Sequence, residues 1–498
     1  MDNSKFSYRE AMKGTSLFGG VQIITIIIQI VRSKVIAILL GTAGMGVYGL
    51  LTNTIALISG FTNLGLGTSA VKDISAAYQA EDKQRIAIIV KCFRYLIWAT
   101  GILGALVILV CSSWLSQMTF KNHDYTFAFV WLSITLLFNQ LSVGQVTLLR
   151  GFRKLRNLAK ANVLGSFFGL LFTLPLYYYL GISGIVPSLI VTSVISLLLS
   201  WWFSRKISID SSVKVSPAQV ITQGKGIIKM GFLISISVSF DVLAAYILRV
   251  FIAQTGGLEE VGLYFAGFVI LNTYVGVVFN AISTDYYPRL SAIAQDNKLF
   301  RKCINEQIEI IILILTPILI LFLTFIRWII IVLYSKQFVN AEGMILWATL
   351  GILFKAPGWA LGYALLAKSD MKNYFWSQLI STIYLIFFNI VGYKYGGLTG
   401  VGISFLISYV VYGIHIYLIC KLNYEFSFNK NLKEIFAKQL GIIIICFLAV
   451  SFLLTIYSYI AGCILLLISG FYSLKELDKR MNLKEIWVNM RNKNNSNS

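Results

Sequence analysis

Long apolar runs separated by short charged stretches recur along the chain from Gly14 to Ser473. Each run has about 20 residues, the length that a helix needs to cross roughly 30 Å of hydrocarbon. Because the bilayer core offers no water to the backbone, a spanning segment must satisfy its own hydrogen bonds, and a helix does so. Only 13% of the residues are charged, whereas soluble domains carry about 25%. We therefore predict an all-α polytopic membrane protein with about 14 transmembrane helices.

The basic residues are distributed unevenly between the two sides of the predicted membrane. Of the 42 Lys and Arg residues, seven lie within predicted spans, and only Lys121, Lys336 and Lys394 lie in loops on one side. The remaining 32 lie on the other side, and basic residues concentrate in cytoplasmic loops. We predict that both termini are cytoplasmic. The formal net charge of +21 then reflects topology, and no nucleic-acid partner is expected.

The chain also matches itself when it is shifted by 216 residues without a gap. The identical pairs lie at the ends of predicted helices and in loops, and they include Gly46 with Gly262 and Gly181 with Gly397. Each half contains six predicted spans, an even number, so both halves have the same orientation. The pattern predicts two parallel bundles related by an axis along the membrane normal, with a substrate site between them and alternating access.

This repeat predicts four regions along the chain. Residues 1–210 form an N-terminal six-helix bundle, and residues 211–425 form a C-terminal six-helix bundle. Residues 426–474 form two additional transmembrane helices outside the repeat. Residues 475–498 form a cytoplasmic polar tail that ends in sequence rich in Asn, Ser and Lys.

Charged residues within the predicted spans are the candidates for function, because an unpaired charge is costly in hydrocarbon. The spans contain seven cations and two carboxylates, an excess of five positive charges. A cavity with this charge favours an anion, and guanidinium and ammonium groups bind phosphate oxygens well. The residues predicted to bind a diphosphate are Arg32, Lys34, Arg249 and Lys355.

These four cations differ in their predicted depth and direction. Arg32 and Lys34 are two positions apart, about 200° around a helix, so only one of them can face the cavity, and either could do so. Arg249 lies at the equivalent depth in the second half of the repeat. Lys355 is deeper, near the middle of its helix, and Pro357 follows it, so a local break that lines a cavity is predicted there.

Asp241 is the only deep carboxylate among the predicted spans. Two interpretations of it remain open at this point. It could form an ion pair with Lys355 or Arg32, or it could couple transport to a proton or another cation.

Other patterns in the sequence indicate no chemistry. Gly44 to Gly49 fits the Gly-x-Gly-x-x-Gly pattern, but it follows a membrane helix rather than a strand, so we predict a tight external turn there. The six cysteines form no close pair, and neither a metal nor another cofactor is predicted. No nucleophile, base and orienting group cluster together, so an enzyme is not predicted.

Three Gly-rich and basic segments follow a pattern found in a known group of transporters: Lys34 to Gly49, Gly65 to Lys72 and Leu149 to Arg153. In these segments the chain resembles O-antigen and polysaccharide flippases of the Wzx type. Those proteins form the polysaccharide transporter family of the multidrug/oligosaccharidyl-lipid/polysaccharide exporter superfamily. The resemblance covers roughly residues 10 to 425, and such proteins have twelve core helices and often two more.

This resemblance implies a function. The expected activity is the flipping of an undecaprenyl-diphosphate-linked oligosaccharide, an O-antigen or related repeat unit, from the cytoplasmic to the periplasmic leaflet of the bacterial inner membrane. Intramembrane cations would bind the diphosphate. The expected partners are this lipid-linked oligosaccharide, membrane lipid, and a polysaccharide polymerase with its chain-length regulator.

Two alternatives remain open on the sequence alone. A drug or cation antiporter of the same superfamily would need deep carboxylates, of which the spans offer Asp241 against several cations. A membrane-embedded polysaccharide polymerase or ligase would need a long outer loop, and the longest predicted outer loops have only about a dozen residues, too few to fold around a site of their own.

Overall fold

The computed structural model describes residues 3–207 and 217–481, and helices make up nearly all of this part of the chain. No strand occurs in these described ranges, so the predicted all-α class is confirmed. The helices, in chain order, are α1 Asn3–Thr62, α2 Leu66–Gln79, α3 Lys83–Phe120, α4 Thr126–Gly151, α5 Leu155–Leu180, α6 Ile185–Ser204, α7 Pro217–Thr255, α8 Gly257–Val269, α9 Gly276–Ala292, α10 Asn297–Leu333, α11 Glu342–Ala367, α12 Met371–Tyr424, α13 Lys430–Phe452 and α14 Thr455–Met481.

Ten helical stretches in the described residues are long and apolar enough to cross a membrane. Three of them, Ile24–Thr62, Leu155–Ser204 and Met371–Tyr424, are much longer than one span and contain an internal break. Helix α7 is 39 residues long but is not among these ten stretches. The number of fourteen transmembrane helices stays a prediction. The protein is thus a multi-pass helical membrane protein.

The breaks within the long stretches lie at single glycines. Gly41 has φ 66°, Gly181 has φ 57° and Gly397 has φ 55°, a left-handed conformation that only glycine adopts without steric cost. The predicted turn over Gly44 to Gly49 is wrong, because those residues are helical and the reversal occurs at Gly41. One residue with positive φ is enough to reverse direction, so no longer turn is needed.

The left-handed glycines also have a regular spacing. Gly257, the first residue of α8, has φ 86°, and it lies 216 positions after Gly41. Gly397 lies 216 positions after Gly181. Glycines with positive φ therefore occur at matching points of the two halves, while the repeat itself stays a prediction.

The chain divides into two compact units, one formed by Met1–Gly262 with Leu333–Ser335 and the other by Leu263–Val332 with Lys336–Ser498. Helix α7, which the prediction assigns to the second bundle, packs against α1, α2 and α3 of the first unit. Ser235 of α7, for example, donates a hydrogen bond to the Gly60 carbonyl at 2.5 Å. The division at residue 210 stays a prediction, since it was drawn from the repeat rather than from contacts.

In the second unit, α13 packs against α11 and α14. The predicted polar tail, 475–498, begins as a helix, because α14 continues to Met481. Arg480 holds this end of α14 in place: its Nε donates to the Glu309 carboxylate at 2.8 Å and its Nη1 donates to Glu476 at 2.7 Å. The rest of the predicted tail lies outside the described residues.

A reciprocal glycine contact joins α1 and α8 within the first unit. A Cβ atom on Gly46 would collide with the carbonyl oxygen of Leu258, and a Cβ on Gly262 would collide with the carbonyl oxygen of Thr42. The two contacts are related by the 216-residue shift, because Gly262 lies 216 positions after Gly46 and Leu258 lies 216 positions after Thr42. Close approach of backbones at small residues is a general way for helices to associate in membranes, so both glycines are required by the packing.

We expect Gly46→Ala and Gly262→Ala to lower the thermal stability of the detergent-solubilised protein, because overpacking costs about 1–3 kcal/mol. Gly441→Ala in α13 is the matched control, since nothing lies within 4 Å of a Cβ at that position. Replacing a helical glycine by alanine in open space stabilises by up to about 1 kcal/mol. Equal melting temperatures for the three variants, measured by fluorescence-detected size exclusion after heating, would contradict the proposed close approach.

Candidate functional site

The first unit places the Arg32 guanidinium among aromatic side chains. The break at Gly41 turns the second arm of α1 back along the first, and Arg32 Cζ lies 5.6 Å from the ring centroid of Tyr48 on that second arm. Arg32 also hydrogen-bonds the side chain of Tyr177 in α5. Tyr177 is only 2% exposed, and its hydroxyl accepts a hydrogen bond from Ser188 Oγ at 2.7 Å.

Part of the Arg32 guanidinium remains available to a ligand. Its Nε and Nη2 atoms are buried and have no hydrogen-bond partner among the described residues. A buried donor without a partner is costly, and a guanidinium presents its N–H groups in a fork that matches phosphate oxygens. The geometry therefore suits an anion that would complete the hydrogen bonds of Arg32.

Arg249 of α7 approaches the same turn of α1. Its Nη1 donates a long hydrogen bond of 3.5 Å to the carbonyl of Gly49, the residue after Tyr48. Arg249 and Lys34 are both half-buried. Arg32 and Arg249 thus contact two adjacent residues of α1, Tyr48 and Gly49. Lys34 follows Arg32 by two positions on the same helix.

Asp241 lies eight residues before Arg249 on α7, about 12 Å along the helix axis. Its side chain is exposed on the surface of the first unit. The predicted ion pair with Lys355 or Arg32 and the predicted coupling role both stay predictions.

Lys355 belongs to the second unit, where aromatic rings again surround the cation. Its Nζ lies 5.2 Å from the ring centroid of Tyr409 in α12 and 5.9 Å from that of Phe279 in α9. Aromatic faces attract a cation electrostatically, and more strongly where water is excluded. Lys355 is half-buried, so the rings partly replace the hydration that the ammonium group loses.

The break predicted after Lys355 is wrong, because α11 continues as a helix through Pro357 to Ala367. Neighbouring helices can hold a proline-containing membrane helix together, and α12 packs closely along α11. The ring of Phe405 lies against Gly351, and the ring of Tyr412 lies against Gly358. This packing supports the helix on both sides of the proline.

Sequence reasoning missed the aromatic partners of the cations: Tyr48, Tyr177, Phe279 and Tyr409. Two signals could have indicated the tyrosines of the first unit. Tyr48 matches Tyr264 in the 216-residue shift, and Tyr177 begins a run of three consecutive tyrosines at the end of α5. Only the tertiary fold shows which ring meets which cation.

The fold and these sites define a class of protein. It is a multi-pass helical membrane protein in which cations on long apolar helices lie beside aromatic rings. A family model described as "Polysaccharide biosynthesis protein" matches residues 35–343. Because this match covers more than half of the chain, the protein belongs to the family of polysaccharide biosynthesis proteins.

Two curated relatives have most of their length in common with this chain. The lipid III flippase of Escherichia coli (strain K12) is 22% identical over 391 residues, which are 76% of this chain and 90% of that protein. The protein named "Putative O-antigen transporter" of Shigella flexneri is 25% identical over 386 residues, which are 75% of this chain and 88% of that protein. The resemblance to polysaccharide flippases that the sequence indicated is confirmed.

Solved structures show the same fold at low sequence identity. The lipid II flippase MurJ in an inward closed conformation superposes with a TM-score of 0.67 at 13% identity, over 94% of this chain and 99% of that one. An inward-facing multidrug resistance MATE family transporter of the MOP superfamily gives 0.66 at 15% identity, over 83% and 96%. The predicted superfamily fold is confirmed.

We expect Tyr177→Phe to lower the free energy of unfolding by about 1–3 kcal/mol, because it removes a buried hydrogen-bond partner of both Arg32 and Ser188. Tyr178→Phe and Tyr179→Phe are matched controls, since these neighbours are 70% and 80% exposed. Thermal unfolding in detergent measures the difference. If all three variants melt together, the Tyr177 hydroxyl does not stabilise the Arg32 environment.

Proposed function

We propose that this protein flips an undecaprenyl-diphosphate-linked oligosaccharide from the cytoplasmic to the periplasmic leaflet of the bacterial inner membrane by alternating access. The protein is a transporter of lipid-linked oligosaccharide rather than an enzyme, in agreement with its family and its relatives. The observation that carries the proposal is the Arg32 guanidinium, whose buried Nε and Nη2 lack hydrogen-bond partners among the described residues.

The cations offset the main energetic cost of this transport, which is the burial of the diphosphate charge. A diphosphate cannot enter a low-dielectric site without opposite charges, because burying an unpaired ion is very costly. Arg32 and Arg249 contact the same turn of α1, so one diphosphate group could receive hydrogen bonds from both. We propose Lys34 and Lys355 as additional charges that stabilise the diphosphate during the cycle.

The aromatic partners explain how these cations remain in place before substrate arrives. A ring face stabilises a partly desolvated cation by about 0.5–2 kcal/mol, much less than a charge-assisted hydrogen bond network can offer. The phosphate oxygens would therefore displace the weaker contacts of Arg32 with Tyr48 and of Lys355 with Tyr409. In this scheme the rings keep the empty site stable without competing with the diphosphate.

Asp241 has a different proposed role. Exposed on the surface of its unit, its carboxylate could pair with a cation of the site when the diphosphate has left, or bind a proton or cation that couples transport to an ion gradient. We further propose that both termini are cytoplasmic and that a polysaccharide polymerase and its chain-length regulator receive the flipped product.

The test compares Arg32→Ala, Arg249→Ala and the double variant in cells that depend on this protein for surface polysaccharide. At equal protein levels we expect surface polysaccharide to fall about tenfold or more for the double variant, since each charged hydrogen bond contributes about 1.5–3 kcal/mol. Undecaprenyl-linked oligosaccharide should accumulate in the cytoplasmic leaflet. Arg32→Lys should retain intermediate activity, because it keeps the charge but loses the fork of donors.

Arg327→Ala is the matched control, since Arg327 is an exposed arginine within the long apolar helix α10. It should leave surface polysaccharide unchanged. If the double variant keeps normal surface polysaccharide and the cells become sensitive to cationic drugs instead, a drug or cation antiporter replaces the flippase proposal.

A further inference from the structure

Seven basic residues gather at one end of the first unit, on the face predicted to be cytoplasmic. All seven are exposed, and no Asp or Glu occurs between Tyr125 and Ile207. We refer to this group as the basic end, and it consists of Arg150, Arg153, Lys154, Arg156, Lys160, Arg205 and Lys206.

The packing of three helices brings these residues together. Leu149 of α4, Leu158 and Ala161 of α5, and Phe203 of α6 form one buried apolar cluster. Ser204 Oγ also donates to Gln145 Oε1 at 2.6 Å, which attaches the end of α6 to α4. The end of α6 and the turn between α4 and α5 therefore present their cations on one surface.

The backbone of the turn between α4 and α5 is fixed. The amide of Arg153 donates to the Arg150 carbonyl at 3.0 Å, and the amide of Lys154 donates to the Leu149 carbonyl at 2.9 Å. Arg153 itself has φ 53°. The basic side chains thus project from a rigid turn rather than from a freely moving loop.

No member of the basic end forms an ion pair with a carboxylate in the part of the chain that the structure describes. Helix α2 packs against α4 here, but α2, its following turn and the first turn of α3 together carry three acidic and three basic residues, so they add no net charge. The second unit is different, because several of its cations have carboxylate partners: Arg289 with Asp285, Arg301 with Glu425, Lys302 with Glu306, Lys430 with Glu434, Lys479 with Glu476, and Arg480 with Glu309 and Glu476.

Exposed tryptophans indicate the level of the membrane interface beside the basic end. Arg205 Cζ lies 4.3 Å from the ring centroid of Trp202 and 5.1 Å from that of Trp201. The two tryptophans are 49% and 47% exposed, and Leu198, one turn earlier, is 56% exposed. Tryptophan prefers the membrane–water interface, so Arg205 is held where lipid headgroups lie.

We propose that the basic end binds the headgroup phosphates of anionic phospholipids, such as cardiolipin and phosphatidylglycerol. A phosphate group can come from bulk phospholipid or from the lipid-linked substrate. The exposed apolar and tryptophan surface of α6 favours phospholipid, because that surface is open to the surrounding bilayer and phospholipid is its abundant anion. The proposal depends on membrane insertion and orientation, and it does not depend on the flippase activity.

The test measures lipids retained by the purified full-length protein in native mass spectrometry after titration with cardiolipin, phosphatidylglycerol, phosphatidylethanolamine or undecaprenyl diphosphate. The triple variant K154Q/K160Q/K206Q removes three cations of the basic end. The matched control K302Q/K430Q/K479Q removes three lysines that form ion pairs in the second unit. We expect retention of the two anionic lipids to fall about tenfold in the first triple and less than about twofold in the control, since each basic residue contributes separately to attraction.

Two further variants separate the possible reasons for a result. Arg205→Gln alone should weaken cardiolipin retention. This single variant still tests the proposal if the triple variant fails to fold. Arg32→Ala should retain phospholipid like the wild type, so a failure of the proposed flippase site would not imitate a failure here. Phosphatidylethanolamine should bind weakly to every variant.

Three outcomes would overturn the proposal. The first is equal loss of anionic lipid in both triple variants, which would indicate a general effect of net charge. The second is equal retention of phosphatidylethanolamine and cardiolipin by the wild type. The third is a basic-end variant that loses undecaprenyl diphosphate but keeps cardiolipin, which would assign the surface to the transported lipid.

Discussion

The absence of water from the bilayer core is the constraint on which the rest of this structure depends. Every backbone group in the hydrocarbon must be paired, so the chain can leave the helical conformation only at a few residues. Gly41 is one of them, and its left-handed backbone turns the second arm of α1 back along the first. That reversal places Tyr48 over Arg32 and puts Gly49 within reach of Arg249. A single glycine conformation thus creates the surroundings of both cations.

The same low dielectric explains why aromatic rings accompany the deep cations. Arg32 lies over Tyr48 in the first unit, and Lys355 lies between Tyr409 and Phe279 in the second. A carboxylate partner would neutralise such a cation permanently, whereas a ring stabilises it and preserves its positive charge. A transporter of an anion needs this combination, because its cations must remain stable when empty and attractive to substrate when it arrives.

The two units differ in whether their peripheral cations have carboxylate partners. In the second unit, Glu309 is buried and accepts from Arg480, which also pairs with Glu476, so the end of α14 is fixed to α10. In the first unit, the basic end has no carboxylates with which to pair among its own helices. Positive charge without internal partners remains available to phosphate in the surrounding lipid, while paired charge contributes to the cohesion of the protein.

The sequence by itself determined the membrane class, the helical fold and the cationic character of the spans, because the length of apolar runs and the charges within them are local properties of the chain. It also indicated Arg32 and Arg249 as counterparts, through the 216-residue shift. Only the tertiary structure decided that Gly41 rather than Gly44 to Gly49 makes the turn, that α11 continues through Pro357, and that α7 packs in the first unit. Backbone conformation and the choice of neighbouring helices depend on contacts between residues far apart in the chain, and hydropathy contains no information about such contacts.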